Sequence, residues 1–113
     1  MDIANVVVAW LEGLGIDAYH SVPSQRPERF AVVGVTGNPS EETTLHQATV
    51  SVTMWDADGQ RLRDDAREAV ISRYQLMEVP NIFGTSIINE YDDFDYESDM
   101  SIRVILIAVL VEY

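Results

Sequence analysis

The chain has 113 residues, of which 47% are hydrophobic and 23% charged, and 19 acidic residues against 7 basic ones give it a formal net charge of −12. These values are typical of a single soluble domain over residues 1–113, and so acidic a surface argues against sequence-specific binding to duplex DNA, because it repels phosphates. The absence of cysteine excludes disulfides, thiol nucleophiles and thiolate metal sites.

A helix is predicted at the start of the chain. Between Ile3 and Leu14 the apolar residues recur at the three- and four-residue intervals that place side chains on one helix face, and Asp2 precedes them as a capping residue. Gly13 and Gly15 then predict the end of this helix.

Three strands are predicted next. β-Branched and aromatic residues favour strands at 16–22 and 29–36, separated by a loop at 23–27 that contains two prolines. After an exposed polar turn at 37–44, strict alternation over 47–55 is typical of an antiparallel strand with one covered face. The side chains predicted to face the core from this strand are Ala48, Val50, Val52 and Met54.

A second helix is predicted at about residues 60–77. It follows the turn at 56–59, where acidic residues favour a helix N-terminus, and Pro80 ends it. Its predicted buried stripe consists of Leu62, Ala66, Ala69, Val70, Tyr74 and Met77.

Two strands complete the prediction. The first covers 82–89, with Gly84 as a bulge. The second covers 100–112 and becomes apolar on both sides from 104 to 111, so we expect both of its faces to be covered near its end. Between them, the segment 90–99 contains six acidic residues and three aromatic ones, which predicts a loop or hairpin tip.

This order of elements predicts an α+β fold, with an antiparallel or mixed β-sheet of about four to five strands and two helices packed mainly on one face. The second face of the sheet then lacks cover from its own chain, and contact with another subunit supplies that cover. In the alternative arrangement the helices straddle the sheet. The final strand provides the predicted subunit contacts Ile105, Ile107, Val109 and Val111.

The sequence predicts no catalytic, cofactor-binding or metal site. His20 and His46 lie in no catalytic motif and at no metal-ligand spacing, and the turn at 56–59 lacks the later ligands of a calcium loop. An alternative is that the alternating acids of segment 90–99 hold a divalent cation. The interpretation we favour is an acidic tip that faces a partner or a ring lumen through Asp92, Asp93, Asp95 and Glu97.

Charged residues at two other places are predicted to contact subunits or partners. Arg26, Glu28 and Arg29 lie in and after the loop between two predicted strands, and Asp56 and Asp58 flank the second helix. Arg61 and Arg103 are equally suited to bind such acids within the chain. The sequence leaves both options open.

The landmarks of the chain resemble one protein family, the tail terminator (tail-completion) proteins of long-tailed bacteriophages and prophages. The resemblance covers most of the chain and includes an Arg/Ala/Glu-rich second helix and a long apolar final strand. The matching pieces also include Trp10-Leu11-Glu12-Gly13-Leu14-Gly15, Val22-Pro23 and Trp55-Asp56-Ala57. The most distinctive are Arg26-Pro27-Glu28-Arg29-Phe30, before a Val-rich strand, and Trp55-Asp56, at the strand-to-helix turn. The acidic segment 90–99 departs from the family, whose members often have a shorter, Pro/Gly-rich hairpin there.

The resemblance implies a structural role without chemistry. Copies form a ring, usually a hexamer, that docks on the last ring of the tail tube protein, stops tube growth, and offers a surface to the head-completion or connector proteins while DNA passes through. It implies no enzyme activity and no cofactor, and a place at the tail–neck junction of the virion after assembly in the host cytoplasm.

Two other functions remain as alternatives. A head-side connector or stopper protein also forms rings of small subunits, and an acidic inhibitor that mimics DNA fits the net charge. No membrane partner is expected, because the longest apolar run, 104–111, is eight residues long and a membrane helix needs about 20. The N-terminal apolar run is interrupted by Asn5 and Glu12, which predicts no secretory signal.

Overall fold

The computed structural model describes residues 2–37 and 45–112, so most of the predicted turn at 37–44 lies outside the described residues. It contains two α-helices and five strands. The helices are α1 (Ile3–Gly13) and α2 (Gly59–Ser72), and α2 continues into a 3₁₀ helix (Arg73–Glu78). The strands are β1 (Ala18–Tyr19), β2 (Arg29–Gly37), β3 (Leu45–Asp56), β4 (Ile82–Asp95) and β5 (Met100–Glu112).

The strands form one mixed sheet in the order β1-β2-β3-β5-β4. β1 is parallel to β2, and the other three pairings are antiparallel. The predicted α+β class and strand number are therefore confirmed.

Both helices pack on the same side of this sheet. Val7 and Leu11 of α1 and Ala66 of α2 belong to one buried cluster, together with strand residues of a single parity such as Val50 and Ile107. The alternation predicted for β3 is confirmed, because Ala48, Val50, Val52 and Met54 are all buried. The predicted arrangement of two helices on one face is thus confirmed, and the core lies between the helices and the sheet.

The ends of α1 follow from its capping residues. The Asp2 carboxylate accepts a hydrogen bond from the Asn5 N–H at 3.2 Å. At the other end, Gly15 has φ +86°, its N–H donates to the Glu12 carbonyl at 2.9 Å, and the Ile16 N–H donates to the Leu11 carbonyl at 3.1 Å. This is a Schellman motif, which requires a residue with positive φ.

Replacing Gly15 by alanine is expected to lower the free energy of unfolding by about 1–2 kcal/mol. A Cβ at this position meets no heavy atom within 4 Å, so the loss of stability comes entirely from forcing alanine into a left-handed backbone conformation. Gly13→Ala is the matched control, because Gly13 is helical and equally open, and it is expected to stabilise the chain by about 0.5–1 kcal/mol. Urea denaturation of both variants tests the prediction, and equal effects would contradict it.

Two predicted elements differ from the structure in length. β1 has two residues in place of the seven predicted, because only Ala18 and Tyr19 pair with β2. β4 runs to Asp95 in place of 89, because the acidic residues after Asn89 pair with β5, and only residues 96–99 form the turn. The hairpin tip and the bulge beside Gly84 are confirmed, and a second register shift lies between Ile87 and Asn89.

The buried stripe of α2 also differs from the prediction at its end. Leu62, Ala66 and Ala69 are buried as predicted, but Tyr74 and Met77 are exposed. Val70 is partly buried and packs against the core as predicted. The residues buried beyond it are Ser72 and Leu76, which continue the three- and four-residue spacing of Leu62, Ala66 and Ala69. The prediction was wrong there because it followed a neighbouring row of apolar residues.

Candidate interaction surface

The side of the sheet opposite the helices carries a continuous uncharged surface, which we call the open face. Its residues lie side by side in four rows across β2, β3, β5 and β4. They are Val32, Gly34, Thr36, Gln47, Thr49, Ser51, Thr53, Gly84, Ser86, Asn89, Tyr91, Val104, Leu106, Ala108 and Leu110. None is charged, in a chain whose net charge is −12.

The open face extends across four of the five strands. From the usual strand spacing and rise, four strands and four rows cover about 14 Å by 20 Å. Leu110 remains 39% exposed and Leu106 half-buried, so within the described residues the chain itself covers only one face of β5 near its end. Cover of the second face by another subunit stays a prediction. The property that marks this face is its lack of charge, since depletion of charged residues is the compositional signal of the core of a protein interface.

The predicted contact residues of β5 lie on the other side of the strand. Ile105, Ile107, Val109 and Val111 are buried in the chain's own core. Their side chains therefore have no surface to offer to a partner. The residues of opposite parity, Val104, Leu106, Ala108 and Leu110, are those that face away from the helices.

A second, smaller core lies at one end of the sheet, on the side opposite the helices. Phe30 is fully buried there, stacks on Trp55 with ring centroids 5.4 Å apart, and meets the ring of Tyr19 edge-on at 6.2 Å. Met100 and Ile102 are also buried, outside the main cluster. Aromatic pairs of this geometry stabilise beyond their buried area, so this second core adds to the stability of this end of the sheet.

Arg26 spans this second core. Its guanidinium lies 5.1 Å from the centre of the Trp55 ring and donates a hydrogen bond of 2.7 Å to Asp95 of β4. The hydrogen bond from the Ser98 hydroxyl, and after it the one from Arg26, hold the pKa of Asp95 below its usual range. Arg26, predicted to contact a partner, thus joins the loop after β1 to the acidic hairpin within one chain.

The junction between β3 and α2 is fixed by a buried ion pair. Asp56 is fully buried and accepts two hydrogen bonds from Arg61, at 2.7 and 2.8 Å, and one from the Asp58 N–H at 2.8 Å. Burial raises the pKa of Asp56, but the hydrogen bonds from Arg61 and Asp58 outweigh it and lower the pKa overall. The option that Arg61 is the intrachain partner of Asp56 is therefore confirmed.

The other charged residues that were predicted to contact partners near this junction make contacts within the chain. Arg29 donates two hydrogen bonds to Asp65 of α2, at 2.6 and 2.8 Å. The Asp58 carboxylate caps α2, accepting from the N–H groups of Gln60 and Arg61. Glu28 is exposed, and its carbonyl accepts from the Ala57 N–H.

The acidic hairpin, residues 90–99, is partly neutralised by one arginine of β5. Arg103 donates to Asp92 at 2.8 Å and lies 3.5 Å from Glu90, and the hydrogen bond to Asp92 raises the pKa of Arg103. Within the described residues, no arginine lies within ion-pair distance of Asp93 or Glu97. The hairpin therefore keeps a negative tip beside a neutral sheet face.

A shallow groove of about 470 Å³ lies between the start of α2 and this hairpin. Arg63 and Gln60 line one wall, and Asp92 and Asp93 line the other. The groove offers opposite charges, and none of these side chains forms a nucleophile and base pair. Over residues 2–37 and 45–112, no three His, Asp or Glu side chains come together where they could hold a metal ion.

Comparisons with known proteins do not identify the chain. Its sequence matches no protein-family model, and no curated protein is significantly similar to it. No helix in the described part of the chain combines the length and hydropathy needed to cross a bilayer.

Proposed function

We propose that this chain is a structural protein of the phage tail–neck junction, whose copies form a ring that caps the tail tube, ends its polymerisation and provides the head-joining surface. One observation carries the proposal beyond the family resemblance of the sequence. The chain concentrates its charges elsewhere and leaves the open face uncharged. The absence of charge is expected of a surface that must dock either on other copies of this acidic chain or on the tail tube.

The charged residues support the same role. The ion pairs of Arg26, Arg29 and Asp56 fix elements of one subunit to one another. The pairs of Arg26 and Arg29 are partly exposed and add little stability, but they link distant parts of the chain in one arrangement, and a ring needs subunits of one shape. We propose that the assembly acts by fitting against tube and head proteins, without catalysis or a cofactor.

We propose that the acidic hairpin faces the lumen or a virion partner. On a lumen wall, the unpaired carboxylates of Asp93 and Glu97 repel DNA phosphates and let DNA pass without sticking. A ring structure that places this hairpin outside the lumen, with Arg63 or Arg67 lining it, contradicts the lumen assignment.

The hairpin is less suited to mimicry of DNA. A mimic needs carboxylates along one long face, spaced like the charges of a duplex at about one per 1.7 Å. Here Glu90, Asp92 and Asp95 are bound by arginines of the same chain, and the open face has no carboxylate.

Deletion of the gene from its phage tests the proposal directly. We expect overlong tail tubes with no heads attached, visible by electron microscopy and restored by the wild-type gene. Tails of normal length that lack heads indicate the alternative, a head-side connector. Normal virions from the deletion exclude both functions.

A single charge on the open face is expected to abolish complementation. Leu110→Glu adds a carboxylate at an exposed position whose cross-strand neighbours, Gln47 and Gly84, are neutral, and the cost of desolvating it on docking is several kcal/mol. We expect at least a tenfold loss of infectious particles. Ala9→Glu adds the same charge on the exposed side of α1 and is expected to complement fully. Both variants should keep the thermal midpoint of the wild type within a few degrees, as measured by circular dichroism.

A further inference from the structure

The sheet has two stretches of strand edge that no described residue pairs with. β4 is the last strand on one side, so its outer edge is free along its length. On the other side, β1 pairs only with Ala31 and Val32, so β2 has a free edge over residues 33–37. Unpaired N–H and C=O groups at such edges are templates for another strand.

The free edge of β2 and the first part of β4 lack the charges that usually protect an edge strand. No charged residue occurs at 33–37 or at 82–89, and the first acidic residue of β4 is Glu90. Two copies of a chain with net charge −12 repel each other over most of their surface. These two segments are where copies can approach closely.

The two free edges also lie at the same level of the sheet. Pairing runs straight across the four strands, from Val35 through β3 and β5 to Ile87. In the same way Gly37 is level with Thr85, and Val33 with Glu90. β1 covers β2 only at the levels of the acidic part of β4, beyond Glu90. The uncovered part of β2 therefore matches the neutral part of β4.

The backbone groups on these edges point in the directions that pairing needs. The Ala31 N–H donates to the Asp17 carbonyl, away from β3, whereas the Glu28 carbonyl accepts from the Ala57 N–H on the β3 side. Because alternate residues of a strand point to opposite sides, Val33, Val35 and Gly37 direct their N–H and C=O groups outward.

Carried across the antiparallel sheet, the same alternation directs the backbone groups of Thr85, Ile87 and Glu90 outward on the other edge. The extra residue of the bulge, Ile88, lies between Ile87 and Glu90. Ile87 still pairs with Ile107 of β5, and Glu90 still pairs with Ile105. β4 is also antiparallel to β2, because three antiparallel steps separate them. A copy turned about an axis along the strands therefore presents β2 to β4 as an antiparallel partner.

We propose that β4 of one copy pairs with β2 of the next, so that the sheets join head to tail around the ring. The paired residues are Thr85 with Gly37, Ile87 with Val35, and Glu90 with Val33. This inference rests on the proposed ring, and it is compatible with one, because a contact between two different surfaces generates a ring when its rotation closes.

Cysteine cross-linking tests the pairing, since the chain has no other thiol. Val35→Cys and Ile87→Cys chains are mixed under assembly conditions and oxidised. We expect disulfide-linked dimers from the mixture, a ladder of oligomers from the double variant, and no cross-link from either variant alone. Antiparallel partners have Cα atoms about 5.5 Å apart, within disulfide range. The control mixture contains Val35→Cys and Thr49→Cys chains, and Thr49 lies in the middle of the open face. This mixture is expected to give no disulfide-linked dimer.

Dimers from Ile87→Cys alone mean that β4 pairs with β4 about a two-fold axis, which overturns the proposal. Hydrogen exchange of the wild-type chain gives a measurement without variants. The outward amides, those of Val33, Val35, Gly37, Thr85, Ile87 and Glu90, are expected to exchange about tenfold more slowly in the assembly than in the dilute chain. A ring that caps tubes but leaves these amides unprotected overturns the pairing and leaves the proposed function intact. If the cross-linked rings form but deletion of the gene yields normal virions, the pairing is supported and the proposed function is overturned.

Discussion

Replacing Asp56 by alanine is expected to lower the free energy of unfolding by about 3 kcal/mol. The carboxylate is fully buried, and its removal leaves the Asp58 N–H and the guanidinium of Arg61 without their acceptor. Arg61 is partly exposed, so water solvates it and keeps the cost at the lower end of the range for broken buried pairs. Urea denaturation followed by circular dichroism measures the change. Asp64→Ala, at an exposed position of α2, is the control and is expected to change stability by less than about 0.5 kcal/mol.

The effect of Asp56→Ala is expected to depend on pH. The folded state lowers the pKa of Asp56, so the carboxylate stabilises the fold above the unfolded pKa of about 3.9, and this contribution is lost as the pH falls through the folded pKa. The difference in stability between wild type and variant should therefore be constant near neutral pH and shrink below about pH 4. A difference that stays unchanged in acid contradicts the role of the ion pair.

Replacing Phe30 by alanine is expected to cost about 3–4 kcal/mol. Phe30 is 0% exposed, and its loss removes the ring that joins Tyr19 to Trp55 and leaves a cavity on the side away from both helices. Phe30→Leu keeps most of the volume and is expected to cost less than about 1.5 kcal/mol. Thermal and urea denaturation compare the two variants. A loss below 1 kcal/mol for the alanine variant would mean that the second core adds little to stability.

The elements that the sequence predicted well are those whose signal is local. β3 and β5 have strict alternation or long apolar runs, and the start of α1 has a capping aspartate, so their positions were correct to within two residues. β1 and the end of β4 were wrong because strand length depends on whether a neighbour pairs with the backbone. Residues 90–95 look like a solvated loop by composition, yet they pair with β5.

The candidate surface was harder to predict because it depends on contacts between distant residues. Arg26 and Asp95 are 69 positions apart, and Arg29 and Asp65 are 36 apart, so charge patterning could not show that they bind each other. In β5 both parities are apolar, and the sequence did not show which one the helices cover. The missed signal lay in β3, whose polar side must continue across its neighbour: Thr49 and Ser51 pair with Ala108 and Leu106.

The chain has two tryptophans, and the sheet separates them. Trp10 of α1 is nearly buried in the helix layer, whereas Trp55 lies on the far side between the Phe30 ring and the Arg26 guanidinium. Each indole therefore emits from its own layer, and Trp10→Phe leaves a fluorophore that reports only on the far side. Emission from that variant follows the docking of a neighbour optically, with no attached dye.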